Sequence, residues 1–160
     1  MEISISMFNS SEIYQFAIKI EENGEKFYRQ MTEKLDYSKV KELFTFLANE
    51  EVEHKKIFKK ILAKFEDYKP VESYPGEYFA YLKAYADNLV FGFNKFNDDI
   101  SKIEDAESAV QFAIGKELDT IMYFQEMKNI VPKSELNRIE AIIGEERKHV
   151  VKLSEIKRVI

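Results

Sequence analysis

One hundred and sixty residues with 45% hydrophobic content suffice for one domain with a sizeable core, and five glycines and three prolines leave little material for β-turns. A formal net charge of −5, with lysines and arginines interleaved among acids, argues against a nucleic-acid partner. The chain has no cysteine, which excludes disulfides, thiolate metal sites, iron–sulfur clusters and a cysteine nucleophile.

Met1 to Ser6 shows neither a basic stretch nor a sustained apolar run, so no export signal is read there. No segment approaches the roughly 18 apolar residues of a membrane span. A cytoplasmic protein without a membrane partner is the expectation.

Asn9-Ser10-Ser11 offers helix caps, and from there Ile13, Ala17, Ile20, Gly24, Phe27 and Met31 recur at steps of four and three. The first long helix is predicted over Ser11 to Leu35. After a tight Asp36-Tyr37-Ser38 connection, the second is predicted from Lys39 to Glu66, with Leu43, Leu47, Ile57, Ile61 and Phe65 on one face, widened by Phe44, Ala48, Phe58 and Leu62. Pro70, Pro75 and Gly76 then mark a crossover rather than a hairpin. A short helix is predicted inside it between Glu77 and Phe93, where Tyr78, Leu82, Tyr85 and Leu89 have helical spacing, and Asn97-Asp98-Asp99 with Ser101 reads as a second break. The third long helix is predicted from about Asp105, carrying Val110, Ala113, Ile114, Ile121, Phe124 and Met127 inward. Pro132 ends or kinks it, and Lys133-Ser134 opens the fourth, with Ile139, Ile142, Ile143, Val150, Leu153 and Ile156 as its stripe. Two helical hairpins joined by a long crossover make an all-α four-helix bundle, read as a single domain over 1–160.

The only two histidines each stand three residues after a glutamate: Glu51 with His54, and Glu146 with His149, 95 positions further on. On a helix this spacing places carboxylate and imidazole on one face about a turn apart, within reach of one metal ion. Helices one and three add matching acids. Ala17-x-x-x-Glu21-x-x-Gly24-x-x-Phe27-Tyr28 pairs with Ala113-x-x-x-Glu117-x-x-Thr120-x-x-Tyr123-Phe124, and both glutamates fall within apolar stripes, where an unpaired charge is costly. Glu21 precedes the Asp36-Tyr37 turn by about as many residues as Glu51 and His54 follow it, and the count from Val131-Pro132 sets Glu117 level with Glu146 and His149. Four carboxylates and two imidazoles thus meet around one axis. Their charge offsets two divalent cations, and glutamate in excess with nitrogen donors suits iron or manganese better than structural zinc.

These motifs resemble the di-iron domain of rubrerythrins in the ferritin-like superfamily, over about Ser11 to Ile156. The resemblance implies a ferritin-like four-helix bundle with a non-haem centre of two iron ions that reacts with hydrogen peroxide or dioxygen. Manganese, mixed metal, or zinc in a purified sample are the alternatives. It implies Glu21, Glu51, Glu117 and Glu146 as terminal or bridging ligands, and His54 and His149 as one terminal ligand on each iron.

The chain departs from the family pattern in two places. It lacks the four cysteines of a rubredoxin-like domain, so electrons are expected from an external carrier such as a rubredoxin. It also has Thr120 where peroxidase-type rubrerythrins carry a further glutamate used in ligand exchange. Tyr28, two turns from Glu21, is a candidate for hydrogen bonding to the ligands or for quenching radicals, alongside an ordinary core role. Glu22, Glu25, Glu50, Glu53, Asp119 and Glu145 read as solvated face, with Glu25, one turn beyond Glu21, also a candidate substitute ligand or an acid supporting the ligands from behind. Three functions remain open: a peroxidase or oxidase in oxidant defence, an iron-handling or ferroxidase-type protein without dedicated turnover, and a salt-bridged structural bundle. The aromatic crossover from Tyr78 to Phe93 exceeds what a small bundle buries, so a homodimer is expected.

Overall fold

A computed structural model describes residues 10–64, 76–86 and 93–160, and six α-helices account for most of them. Helix α1 (Ser10–Lys34) turns through Leu35, Asp36 and Tyr37 into α2 (Ser38–Lys64), and the two pack as an antiparallel hairpin. The predicted bounds hold to within two residues where they can be compared; Phe65 and Glu66 lie outside the described residues. The second hairpin pairs α5 (Ala106–Met127) with α6 (Leu136–Lys157). Asp105 caps α5 by accepting the backbone N–H of Ser108 at 2.7 Å. Between α5 and α6 the chain passes Pro132 and a 3₁₀ turn, Lys133–Glu135, so α6 begins slightly later than Lys133-Ser134 suggested.

The crossover holds two short helices rather than one: α3 (Gly76–Tyr85) and α4 (Phe93–Lys102). The expected break at Asn97-Asp98-Asp99 and Ser101 is therefore corrected, since it lies inside α4. The low helix propensity of Asn, Asp and Ser is overridden by tertiary anchoring. Ile100 and Ile103 are buried in the core, Lys26 reaches the Asn97 side chain at 3.3 Å, and Lys34 donates to the Ser101 carbonyl at 3.3 Å. In α3, Leu82 is buried and Tyr85 is half-buried, donating its hydroxyl to the Asp119 carbonyl at 3.0 Å. Leu89 and the side chain of Tyr78 lie outside what is described.

Two apolar clusters fill the bundle. One joins Ile13, Tyr14 and Ala17 to Phe58, Ile61, Tyr123, Phe124, Met127, Ile139, Ile142 and Ile143, and is closed by Leu82 and Ala86. The other joins Phe27, Tyr28 and Met31 to Val40, Phe44, Leu47, Val110, Ala113 and Leu153, and is closed by Ile100 and Ile103. The first half of α1 thus meets the second halves of α2 and α5 and the first half of α6, the directions required of two hairpins joined by a long crossover. Each large buried apolar side chain contributes about 1.5–3 kcal/mol, so these clusters carry the fold. Among the described residues no helix is long and apolar enough to cross a membrane.

Gly115 on α5 and Gly144 on α6 have open space where a Cβ would stand. Alanine avoids the entropic cost of glycine in a helix interior, about 1 kcal/mol. Gly115→Ala and Gly144→Ala are each expected to raise the unfolding free energy by about 0.5–1 kcal/mol. Urea titration should show a higher midpoint at unchanged slope; a lower midpoint would mean that the outer helix face is in contact with something.

Candidate metal centre

Between the two apolar clusters lies a layer of buried ionisable groups. Glu21 and Glu146 are fully buried, and Glu51, His54, Glu117 and His149 are exposed by 4% or less. They come from all four long helices: one acid each from α1 and α5, and a Glu-x-x-His pair each from α2 and α6. Each lies within its helix's apolar stripe, so folding the stripe inward carries the charge with it.

The six residues form two overlapping groups. Glu21, Glu51, His54 and Glu146 offer ligand atoms within 4.8 Å of one another, and so do Glu51, Glu117, Glu146 and His149. Glu51 and Glu146 belong to both. Both imidazoles turn Nδ1 inward: His54 Nδ1 is 2.9 Å from Glu146 Oε1 and 3.6 Å from Glu21 Oε2, while His149 Nδ1 is 2.9 Å from Glu146 Oε2 and 3.6 Å from Glu117 Oε1. The rings lie nearly parallel, with centroids 5.8 Å apart. Both oxygens of Glu21 and Oε1 of Glu51 are buried without a hydrogen-bond partner among the described residues. Orphaned carboxylate oxygens are expensive, and cations at the two shared positions would satisfy them. The donor set of glutamates and two imidazoles fits a dinuclear metal site of the di-iron carboxylate type.

Protons take over part of the cations' work when no metal is bound. Burial, reinforced by the Glu146 charge, raises Glu21 and Glu51 well above the carboxylate range and Glu117 to about 8. Burial also opposes ionisation of Glu146, but hydrogen bonds from His149 and His54 outweigh it and hold that carboxyl below its ordinary value. Burial pulls both histidines down, yet hydrogen bonds and carboxylate charge more than offset it, lifting each to about 10. Glu146 is thus the anion on which both imidazolium rings converge.

Close packing shapes the surroundings. A Cβ on Gly24 would stand 3.2 Å from the Glu51 carboxylate, so the glycine in the helix-one motif makes room for a shared acid. Tyr28, anchored by Phe44 with ring centroids 5.0 Å apart, donates its hydroxyl to Glu117 Oε1 at 2.5 Å. Burial and the Glu117 charge raise its pKa well above that of free tyrosine, so it stays a proton donor. A cavity of about 50 Å³ between α1 and α5, bounded by Gly24, Tyr28, Glu51, Glu117 and Thr120, reaches the ligand carboxylates. That is room for a few water-sized molecules.

The neighbouring acids divide. Glu25 does not join the cluster as a substitute ligand; it pairs outward with Arg29 at 3.4 Å and Lys55 at 3.9 Å. Glu22 and Glu53 pair with Lys19 and Lys56. Thr120 lines the cavity, but its hydroxyl donates to the Lys116 carbonyl at 2.8 Å, so it supplies no carboxylate there. Glu145, read as solvated face, is instead half-exposed and 2.5 Å from His54 Nε2. The doubled acid in Glu50-Glu51 and Glu145-Glu146 was the available sequence signal for it.

The rubrerythrin family profile matches residues 12–157, nearly the whole chain. The chain belongs to the rubrerythrin family. Its fold also matches a Thermotoga maritima protein described as ferritin-like diiron-carboxylate, with TM-score 0.66 and 26% sequence identity over 94% of this chain and 95% of that one. No functionally curated protein matches this rubrerythrin-family chain closely enough to transfer an activity. Its ferritin-like bundle and buried Glu/His clusters are consistent with a dinuclear metal site of the di-iron carboxylate type.

The metal-free rubrerythrin-family protein should lose stability as pH rises. Glu117 keeps its proton to about 8 against an ordinary 4.5, and each histidine to about 10 against 6.5. The folded state therefore binds more protons than the unfolded chain from about pH 4.5 to 10, and its stability falls across that window. Glu146, held low, gives the opposite slope only below its ordinary 4.5. Thermal melts in chelator should fall from pH 5 to 9 on this account, while divalent metal, which competes with the protons, flattens the profile. A melting temperature that rises over that range without metal would contradict the clustering.

A second expectation concerns Gly24. In Gly24→Ala the added methyl pushes on Glu51, a member of both ligand groups. Two-metal binding should weaken by roughly tenfold, the effect of disturbing a ligand's immediate support, while helix content is kept. Isothermal titration with manganese(II) reads the first and circular dichroism the second.

Proposed function

We propose that this protein is a non-haem di-iron oxidoreductase that reduces hydrogen peroxide, or dioxygen, with electrons drawn from a separate carrier. The observation that carries the reading is the pair of four-residue ligand groups sharing Glu51 and Glu146 directly beside the α1–α5 cavity. A purely structural ion cluster has no use for a void opening onto its carboxylates. When bound, two ferrous ions supply the two electrons that, with two protons, convert peroxide to two waters.

The chain's own groups have separable tasks. Glu21 with His54 and Glu117 with His149 would hold one ion each, and Glu51 and Glu146, members of both groups, would serve the two in common. Tyr28 keeps a proton at Glu117 Oε1, at the wall of the cavity, where a reacting oxygen would need one. Phe27 and Ile20 line the same cavity with apolar surface and limit its water. The 160 residues contain no cysteine, so they hold no thiolate iron centre to pass electrons themselves. A rubredoxin-type carrier fits that requirement, and a homodimer in the cytoplasm is the assembly and place we propose.

A ferroxidase-type role in iron handling is favoured by one feature, Thr120. With its hydroxyl committed to Lys116, the cavity side lacks the carboxylate that rubrerythrin peroxidases resemble one another in carrying.

Elemental analysis of protein loaded anaerobically should give two irons per chain. Single-turnover oxidation of that protein should be faster with hydrogen peroxide than with dioxygen, and steady turnover should require added rubredoxin and its reductase. Faster oxidation by dioxygen would transfer the assignment to the ferroxidase reading, and fewer than two bound metals would end both.

A further inference from the structure

His54 is gripped from two sides. Its Nδ1 faces Glu146 and Glu21 in the interior, while its Nε2 is 2.5 Å from Glu145 Oε2 on the opposite hairpin. The imidazole is 1% exposed and the Glu145 side chain 45%, so a surface carboxylate reaches in to hold a buried ring. Among the described residues His149 has no such partner. Among the described residues, the carboxylates within ion-pair distance of it are the buried Glu51, Glu117 and Glu146, all approaching Nδ1. Its flank is met instead by Phe46, edge-to-face with centroids 6.4 Å apart, and the Lys152 ammonium lies 3.9 Å from the Phe46 ring centre.

We propose that Glu145 is a positioning residue for His54 and that it makes the two metal positions unequal, the Glu21–His54 position holding its ion more tightly than the Glu117–His149 position. The inference rests on the di-metal reading above.

Imidazole ligates through a nitrogen that carries no proton. A carboxylate at Nε2 keeps a proton there, so the proton given up on ligation is the one at Nδ1, the nitrogen that faces Glu146 and Glu21, and the ring becomes a stronger donor. The bond also ties the ring of α2 to α6, so its plane is set before an ion arrives. Phe46 restrains the His149 ring by packing but offers no carboxylate for its proton. Among the described residues one half-site is therefore organised in both orientation and protonation, the other in orientation alone.

Glu50 supplies the control. It belongs with His54 and Glu145 to a third, partly exposed group whose ligating atoms lie within 4.8 Å of one another, yet it makes no hydrogen bond to His54 among the described residues. Glu50→Gln removes the same unit of nearby charge as Glu145→Gln while leaving the Nε2 contact in place.

The test is cobalt(II) titration of chelator-stripped protein, followed by visible absorption, on the unmutated chain and on Glu145→Gln, Glu145→Ala and Glu50→Gln. Two resolved steps are expected for the unmutated chain. Both Glu145 variants should weaken the tighter step by about 10- to 100-fold, leave the weaker step in place, and retain helical circular dichroism, while Glu50→Gln changes neither step appreciably. In the zinc-loaded protein, proton NMR should show a slowly exchanging His54 Nε2–H that disappears in Glu145→Ala. The inference is overturned if the unmutated chain binds two cobalt ions with equal affinity, if the Glu145 variants weaken both steps alike, or if Glu50→Gln matches Glu145→Gln. An unmutated chain that takes up fewer than two cobalt ions would instead overturn the di-metal reading.

Discussion

Four buried carboxylates and two imidazoles in one layer set the terms for everything else in this protein. Removing a charged group from water costs several kcal/mol even after relaxation, and four acids within a few ångströms add mutual repulsion. Only two things relieve that: cations, or protons taken up until most of the acids are neutral. The apolar clusters on either side, with their aromatic and branched side chains, supply the stability that lets the layer exist. Metal affinity here is the other side of the same cost, since groups that repel one another when alone are drawn together by a shared positive charge.

The two kinds of helix contribute differently. Helices α2 and α6 bring a carboxylate and an imidazole each and, through Glu51 and Glu146, the members common to both ligand groups. Helices α1 and α5 bring one acid each and leave space between them, where Gly24, Tyr28 and Thr120 border the cavity. One side of the centre therefore carries the shared members of the ligand groups, and the other borders the cavity. Gly24 serves both sides, because the absent side chain gives Glu51 its place and the cavity part of its wall.

Much of this was legible in the chain because helical periodicity and metal-site chemistry are both short-range rules. Glu-x-x-His twice, with an acid at matched height on each partner helix, was enough to bring Glu21, Glu51, His54, Glu117, Glu146 and His149 to one level, and the structure gathers all six. The stripes of α1 and α5 read correctly for the same reason. What escaped depended on contacts between elements far apart in sequence. Helix α4 was hidden by Asn97, Asp98 and Asp99, whose weak local preference is overruled by Ile100 and Ile103 in a core that no local pattern describes. Glu145 looked like ordinary surface because its own helix does turn it outward; only the neighbouring hairpin brings His54 to meet it. Glu25 keeps to the solvated face despite its proximity to Glu21 along the helix, because Arg29 and Lys55 pair with it on the outer side.

The near-twofold repeat in the site has an implication for why one continuous chain is used. Two copies of a single hairpin, each carrying one lone glutamate and one Glu-x-x-His, would furnish the same six donors with strict symmetry, and any change in one copy would be forced on the other. Joining the hairpins through α3 and α4 frees equivalent positions to diverge. Gly24 on α1 corresponds to Thr120 on α5, and the neighbour of His54 is a carboxylate whereas that of His149 is a phenyl ring. The covalent link thus lets a duplicated scaffold carry unlike surroundings in its two halves, a freedom that strict twofold symmetry would deny it.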